Sequence, residues 1–148
     1  MLLRGALTLH ADTAWIWAEG PGSAAAAHFR RAFEVPANLK EGVLFLTCDN
    51  GATVFLDGKS VLTNADWNEP VKINLTAKLG AGKHEFRIEG RNEGNVAGLV
   101  ARLRLKTADG KETLVETDAS WEATVPGRLY GRCLPFSTEP PEPQGERS

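Results

Sequence analysis

Apolar and polar residues alternate at every second position through most of this 148-residue chain. Val71-Lys72-Ile73-Asn74-Leu75-Thr76 does so, as do His84-Glu85-Phe86-Arg87-Ile88-Glu89 and the longer run from Leu99 to Lys106. Successive side chains of a strand point to opposite faces, so a period of two sets one face on a core and the other in water. Val43-Leu44-Phe45-Leu46-Thr47-Cys48 is apolar on both faces, which places it centrally in a sheet. Asp57-Gly58 and Asp109-Gly110 separate strand-like runs, and this dipeptide is a strong hairpin signal because both residues tolerate positive φ. Leu79-Gly80-Ala81-Gly82-Lys83 reads as another turn. No helix is expected: Ala24-Ala25-Ala26-Ala27 runs straight into the strand-like Phe29 to Val35. About eight strands with short connections predict an all-β fold, an antiparallel β-sandwich of the jelly-roll type.

The length suits one domain. Residues 1–136 form the expected sandwich, and 137–148, with Pro140, Pro141 and Pro143 among Glu, Gln and Gly, read as a tail or interdomain linker. The formal net charge is −2 and no Lys/Arg run exceeds two residues, so nucleic acid is not an expected partner. No apolar stretch is long enough to span a bilayer, and no membrane partner is expected. Arg4 interrupts a weakly apolar N-terminus that does not make a signal peptide, which fits either a cytoplasmic protein or a domain of a larger secreted chain. Cys48 lies in an apolar strand and reads as a buried free thiol; a bridge to Cys133 cannot be argued from sequence separation.

Catalytic signatures are absent: there is no Gly-x-Ser-x-Gly, no His-Glu-x-x-His and no phosphate-cradling loop, and His10, His28 and His84 are scattered. A glycosidase needs two carboxylates set across a cleft. Asp49, Asp66 and Glu93 are available, but a sandwich this small offers a shallow site on its end loops. No enzymatic activity is therefore expected. Three loops carry the planar polar groups and the flat aromatic that a hydroxylated ligand needs. The first holds Asp66, Trp67 and Asn68, where Trp67 has no periodic reason to be core; its structural reading is a cap on one end of the sandwich. The second holds Asn92, Glu93 and Asn95 among glycines, a set able to meet hydroxyls or coordinate calcium through oxygen. Its plainer reading is ordinary turn chemistry. The third is Asp49-Asn50-Gly51, which by itself reads as an Asx turn with glycine supplying positive φ.

Several segments together resemble galactose-binding-like jelly-roll domains. Trp15-Ile16-Trp17-Ala18 and Phe29 to Pro36 look like the opening of such a domain, and Cys48-Asp49-Asn50 with Val54-Phe55-Leu56-Asp57-Gly58-Lys59 resemble its strand, acidic turn and hairpin. Asn74-Leu75-Thr76 through Leu79, Gly82-Lys83-His84 and Thr117-Asp118-Ala119-Ser120-Trp121-Glu122 resemble later motifs, so the likeness runs from Trp15 to Ala123. The nearest resemblance is to the N-terminal carbohydrate-binding modules of bacterial α-L-rhamnosidases. It implies a non-catalytic module that binds a mono- or polysaccharide through loops at one end, often with Ca2+, and in some members an Asp-Asn pair like Asp49-Asn50 touches calcium and sugar. It also implies an extracellular or periplasmic setting and further domains of a parent chain. Two positions depart from the pattern: Asp57 replaces the usual hairpin Asn, and Gly51-Ala52 replaces an aromatic, removing one stacking surface. The alternative is a structural or protein-interaction sandwich within a larger protein.

Other conspicuous residues read as structural. Trp15 and Trp17 are expected on one face of an early strand, and Trp121 in or capping the core. Asp118 and Ser120 fit a turn before the last strand. Alternation puts His84 on the apolar face beside Phe86 and Ile88, and Arg31 on the face of Phe29, Phe33 and Val35. The arginine then requires either a bulge that re-aims it or a buried carboxylate partner.

Overall fold

The computed structural model describes residues 14–18, 25–63, 70–92 and 97–137. Twelve strands run through them: β1 (Trp15–Trp17), β2 (Ala26–Val35), β3 (Leu39–Asp49), β4 (Gly51–Leu56), β5 (Lys59–Thr63), β6 (Val71–Asn74), β7 (Gly82–Arg91), β8 (Gly98–Thr107), β9 (Glu112–Glu116), β10 (Glu122–Thr124), β11 (Gly131–Arg132) and β12 (Leu134–Ser137). The number exceeds the expected eight, in part because a strand as short as β11, with two residues, shows no period. Among the described residues the only helical element is one 3-10 turn at Thr76–Lys78.

The strands form two antiparallel sheets, a β-sandwich as the alternation requires. The first runs β12-β1-β8-β3-β6, with β9 also paired to β8; the second runs β11-β10-β2-β7-β4-β5. Each is built on one long pairing. In the first, β3 and β8 pair from Leu39 opposite Thr107 to Asp49 opposite Gly98. In the second, β2 and β7 pair without a shift from Ala26 opposite Arg91 to Val35 opposite Gly82. The inner faces carry rows of apolar side chains that meet between the sheets. Ile73, Leu44, Leu103 and Val115 make one such row, and Ala123, Phe29, Ile88 and Val54 another. Full burial of each large member removes about 1.5–3 kcal/mol of apolar exposure. In β3, Val43 and Phe45 are buried as thoroughly as Leu44 and Leu46, which is the two-faced burial that its composition demanded.

The structure amends two expectations and bears out a third. Trp15 and Trp17 do not share an environment: Trp17 joins the core between the sheets, whereas Trp15 is buried outside it, and the β1–β12 register shifts between Trp15 and Ile16. Among the described residues, Arg31 meets neither a bulge nor a carboxylate. The β2–β7 ladder is regular there, and its guanidinium turns back to donate to the carbonyl of Ala32. Cys48 is a buried thiol, as its strand implied, and it forms no disulfide with Cys133, which is buried too.

The Asp57-Gly58 hairpin matches its sequence signal, with φ of 52° and 85° at the two residues. Asp57 also closes the sandwich at this end. Its Oδ1 accepts the Glu85 amide at 2.9 Å, and its Oδ2 lies 2.5 Å from His84 Nδ1. The other ring nitrogen of His84 is 2.6 Å from the Gly80 carbonyl, and the ring stacks on Phe33 with centroids 5.9 Å apart. Both nitrogens face acceptors, an arrangement that only the doubly protonated imidazolium satisfies. Burial pulls the His84 pKa down, but the bonds to Gly80 and Asp57 outweigh it and leave the pKa raised. Burial likewise opposes ionisation of Asp57, and the bonds from His84 and the Glu85 amide override it and hold the carboxyl low.

A histidine with a raised native pKa contributes stability that is complete below its unfolded pKa of about 6.5 and fades as pH rises through the native value. The thermal midpoint should therefore fall as pH rises above about 6.5, and His84→Gln should flatten that slope. Burial also pushes the Cys133 thiol up to about 11. Neither cysteine should react with Ellman's reagent at neutral pH until denaturant is added, and a reducing agent should leave the thermal midpoint unchanged.

Candidate functional site

Opposite the His84 end, the chain passes between the sheets four times: from Ala18 to Ala25, from Asp49 to Gly51, from Thr63 to Pro70 and from Asn92 to Ala97. The pairings set these crossings at one end, since Asp49 lies opposite Gly98, Gly51 and Ala26 each lie opposite Arg91, and Thr63 lies opposite Thr53. All three candidate loops therefore spring from the same end of the sandwich.

The tightest crossing has a single residue. β3 ends at Asp49 and β4 begins at Gly51, leaving Asn50 alone to carry the chain from one sheet to the other. Its amide donates to the Arg91 carbonyl at 2.5 Å, which ties the corner to the end of β7. The next residue, Asn92, is 7% exposed, and its amide donates to the Ala25 carbonyl at 2.8 Å. Of the sequence-predicted site residues, the fold thus brings Asp49, Asn50 and Asn92 to one place. Asp66, Trp67, Asn68, Glu93 and Asn95 lie outside the described residues.

Beneath this corner lies a floor that sequence reasoning did not assign to the site. Trp17 packs edge-on to Phe29 with centroids 5.5 Å apart, and its six-membered ring covers Gly90. A Cβ at position 90 would sit 3.1 Å from Trp17 Cη2 and Cζ3 and 3.3 Å from Cys48 Sγ. The signal was present: Gly90 occupies an inward position at the end of the alternating run from His84, and a glycine inside a strand marks close approach of another group. Trp17 thus packs against β7 two residues before Asn92. Of the polar residues at this corner, Asn50 is partly exposed and Asn92 is buried. Among the described residues no three His, Cys, Asp or Glu side chains converge to hold a metal.

No family model matches the chain. It is similar to an α-L-rhamnosidase of Streptomyces avermitilis, with 30% identity over 124 residues that cover 76% of this chain and 12% of the relative. The chain therefore spans only a small fraction of the curated relative that it matches. Among solved structures, it superposes on the Streptomyces avermitilis α-L-rhamnosidase complexed with L-rhamnose with a TM-score of 0.75 at 24% identity, covering 90% of this chain and 16% of that one. It also superposes on the Pleurotus ostreatus lectin complexed with GalNAc with a TM-score of 0.70 at 19% identity, covering 86% of this chain and 44% of the lectin. The fold is an antiparallel β-sandwich that resembles domains found in these rhamnosidases and in the lectin.

Gly90→Ala should force Trp17 and Cys48 apart and destabilise the domain by about 1–3 kcal/mol, read from urea denaturation. An unchanged midpoint would show that the floor is not close-packed.

Proposed function

We propose that this chain is a non-catalytic carbohydrate-binding domain of a larger protein, which takes a sugar at the end of the sandwich bearing Asp49, Asn50 and Asn92. The observation that carries the proposal is the one-residue corner at Asn50, whose amide is bonded to the Arg91 carbonyl and which is thereby fixed beside the end of β7. A site for vicinal hydroxyls needs fixed amide and carboxylate groups, because donors that are already ordered lose little entropy on binding. The solved neighbours complexed with L-rhamnose and with GalNAc give the fold a carbohydrate context. The proposal extends to Asp66, Trp67, Asn68, Glu93 and Asn95, whose segments begin and end at the same rim. Trp67 is the aromatic that would stack on a pyranose face.

Amide and carboxyl oxygens are the donors that suit a hard cation such as Ca2+, and Asp49, Asn50 and Asn92 would hold it. When bound, the ion supplies a positive centre for hydroxyl oxygens. Part of a larger secreted chain, extracellular or periplasmic, is the setting that goes with this reading.

The test is titration of intrinsic tryptophan fluorescence with L-rhamnose, galactose and N-acetylgalactosamine, with calcium and with a chelator. At least one sugar should saturate the signal, and Asn50→Ala should weaken it by tenfold or more, about 1.4 kcal/mol, with little change in melting temperature. Silence from every sugar in both conditions would reject the proposal in favour of a structural or protein-interaction role.

A further inference from the structure

The outer face of the second sheet carries a row of side chains that core packing does not require. Cross-strand pairing sets Glu122 opposite Arg30, Arg30 opposite Arg87, and Arg87 opposite Phe55, so all four stand on the solvent side of β10, β2, β7 and β4. Two arginines directly opposite each other on neighbouring strands repel, and a sheet selected for stability alone has no reason to keep them. Here each guanidinium is held on two sides. Arg30 Nε lies 2.6 Å from Glu122 Oε1 and its Cζ stands 4.0 Å from the centroid of the Tyr130 ring. Arg87 Nη1 lies 2.5 Å from Glu89 Oε2 and its Cζ stands 4.1 Å from the Phe55 centroid. These groups remain open to water, with the Arg30, Glu122, Arg87 and Glu89 side chains between 36% and 51% exposed.

The stability gained from such exposed pairs is small, about 0–1 kcal/mol each. What the arrangement does achieve is order. Each guanidinium keeps spare N–H donors in a fixed plane, each carboxylate keeps spare acceptor lone pairs, and a half-buried aromatic ring stands at either end of the row. Arg30 covers one face of Tyr130, and Arg87 covers one face of Phe55. The strands are about 4.8 Å apart, so the two guanidiniums and Phe55 span roughly 10 Å of sheet, with Tyr130 extending the row beyond β2. Charge around the row is balanced, with Arg30, Arg87 and Arg132 against Glu85, Glu89 and Glu122, which disfavours a strongly anionic or cationic ligand.

We infer that this face is a second binding surface, on which a neutral oligosaccharide of several residues lies across β2, β7 and β4 between Tyr130 and Phe55. The planar guanidinium donors and the carboxylate acceptors beside them suit the hydroxyls of a glycan chain, and the two rings offer apolar contacts for pyranose C–H groups. The inference rests on the carbohydrate reading given above but uses none of the residues at the loop end.

The experiment follows backbone and tryptophan amide resonances of the full chain during titration with cellohexaose, xylohexaose and mannohexaose. At least one hexasaccharide should shift residues of β2, β7 and β10 around Arg30, Arg87 and Glu122. Tyr130→Ala and Arg87→Ala should each weaken that response at least fivefold, while Asn50→Ala leaves it unchanged. Binding of L-rhamnose or galactose at the loop end should show the reverse pattern, so either site can fail without the other. The inference fails if no hexasaccharide moves the sheet face, if Tyr130→Ala binds as the parent does, or if the same resonances move with protein concentration alone, which would mark a self-association surface. Thermal melts of both variants within about 3 °C of the parent exclude misfolding as the cause, since each lost kcal/mol shifts a domain of this size by roughly that amount.

Discussion

Everything at the loop end depends on the turn that the chain makes at Asn50. A sandwich needs its two sheets held at a fixed offset, and most crossings do this with several residues. Between β3 and β4 there is one, and its amide is bonded to the end of β7. Because the side-chain period of a strand is two, inserting or removing a residue here would turn one flanking strand inside out. Leu44, Leu46 and Cys48 would then face away from the core, or Ala52, Val54 and Leu56 would. The position of Asn50 is thus enforced by the burial of both strands, which is why a polar residue there can be rigid without being buried. Gly90 and Trp17 complete the constraint, since the ring can lie over the strand only where no Cβ intervenes.

The fold was legible because each long strand reports on itself. β7 alternates from His84 to Glu89 and β8 from Ala101 to Lys106, and β3 shows two-faced burial, so these strands could be read from local pattern alone. The Asp57-Gly58 turn was equally local, and its positive φ values follow from the residue types. What was not legible depends on pairing across distance. That Trp15 and Trp17 part company follows from a register shift against β12, more than a hundred residues away in sequence. Arg31 donates from Nη1 to its neighbour's carbonyl while its Nε stays unpaired, an outcome that residue type and period do not distinguish from a salt bridge. Of the site, the three loops could be named because Asn, Asp and Gly cluster in them, and the structure adds that Asn50 and Asn92 adjoin Arg91. The row of Arg30, Arg87 and Phe55 escaped notice because each member looks like an ordinary outward residue until the register aligns them.

The two ends of the sandwich are built on different principles. At the His84 end, a charged ring with a carboxylate and a carbonyl closes the gap between a hairpin and a neighbouring loop. At the other end, backbone hydrogen bonds and an aromatic floor fix the geometry, and polar side chains are left at the rim. The first arrangement responds to pH and the second does not, so acid or base changes the domain's stability at a distance from its proposed ligand. The buried thiols contribute nothing to either end through cross-linking.

The pairing of β1 with β12 has a mechanical meaning. Trp15, at the start of β1, lies opposite Ser137, at the end of β12, and the two strands are antiparallel neighbours. Tension applied to the chain beyond these residues would act at the same end of one ladder and peel it apart bond by bond. The long β3–β8 and β2–β7 ladders would bear little of that load until β1 had come away from β8. Under traction the domain therefore yields first along its seam, and Trp15 and Trp17 are the side chains that the seam would uncover.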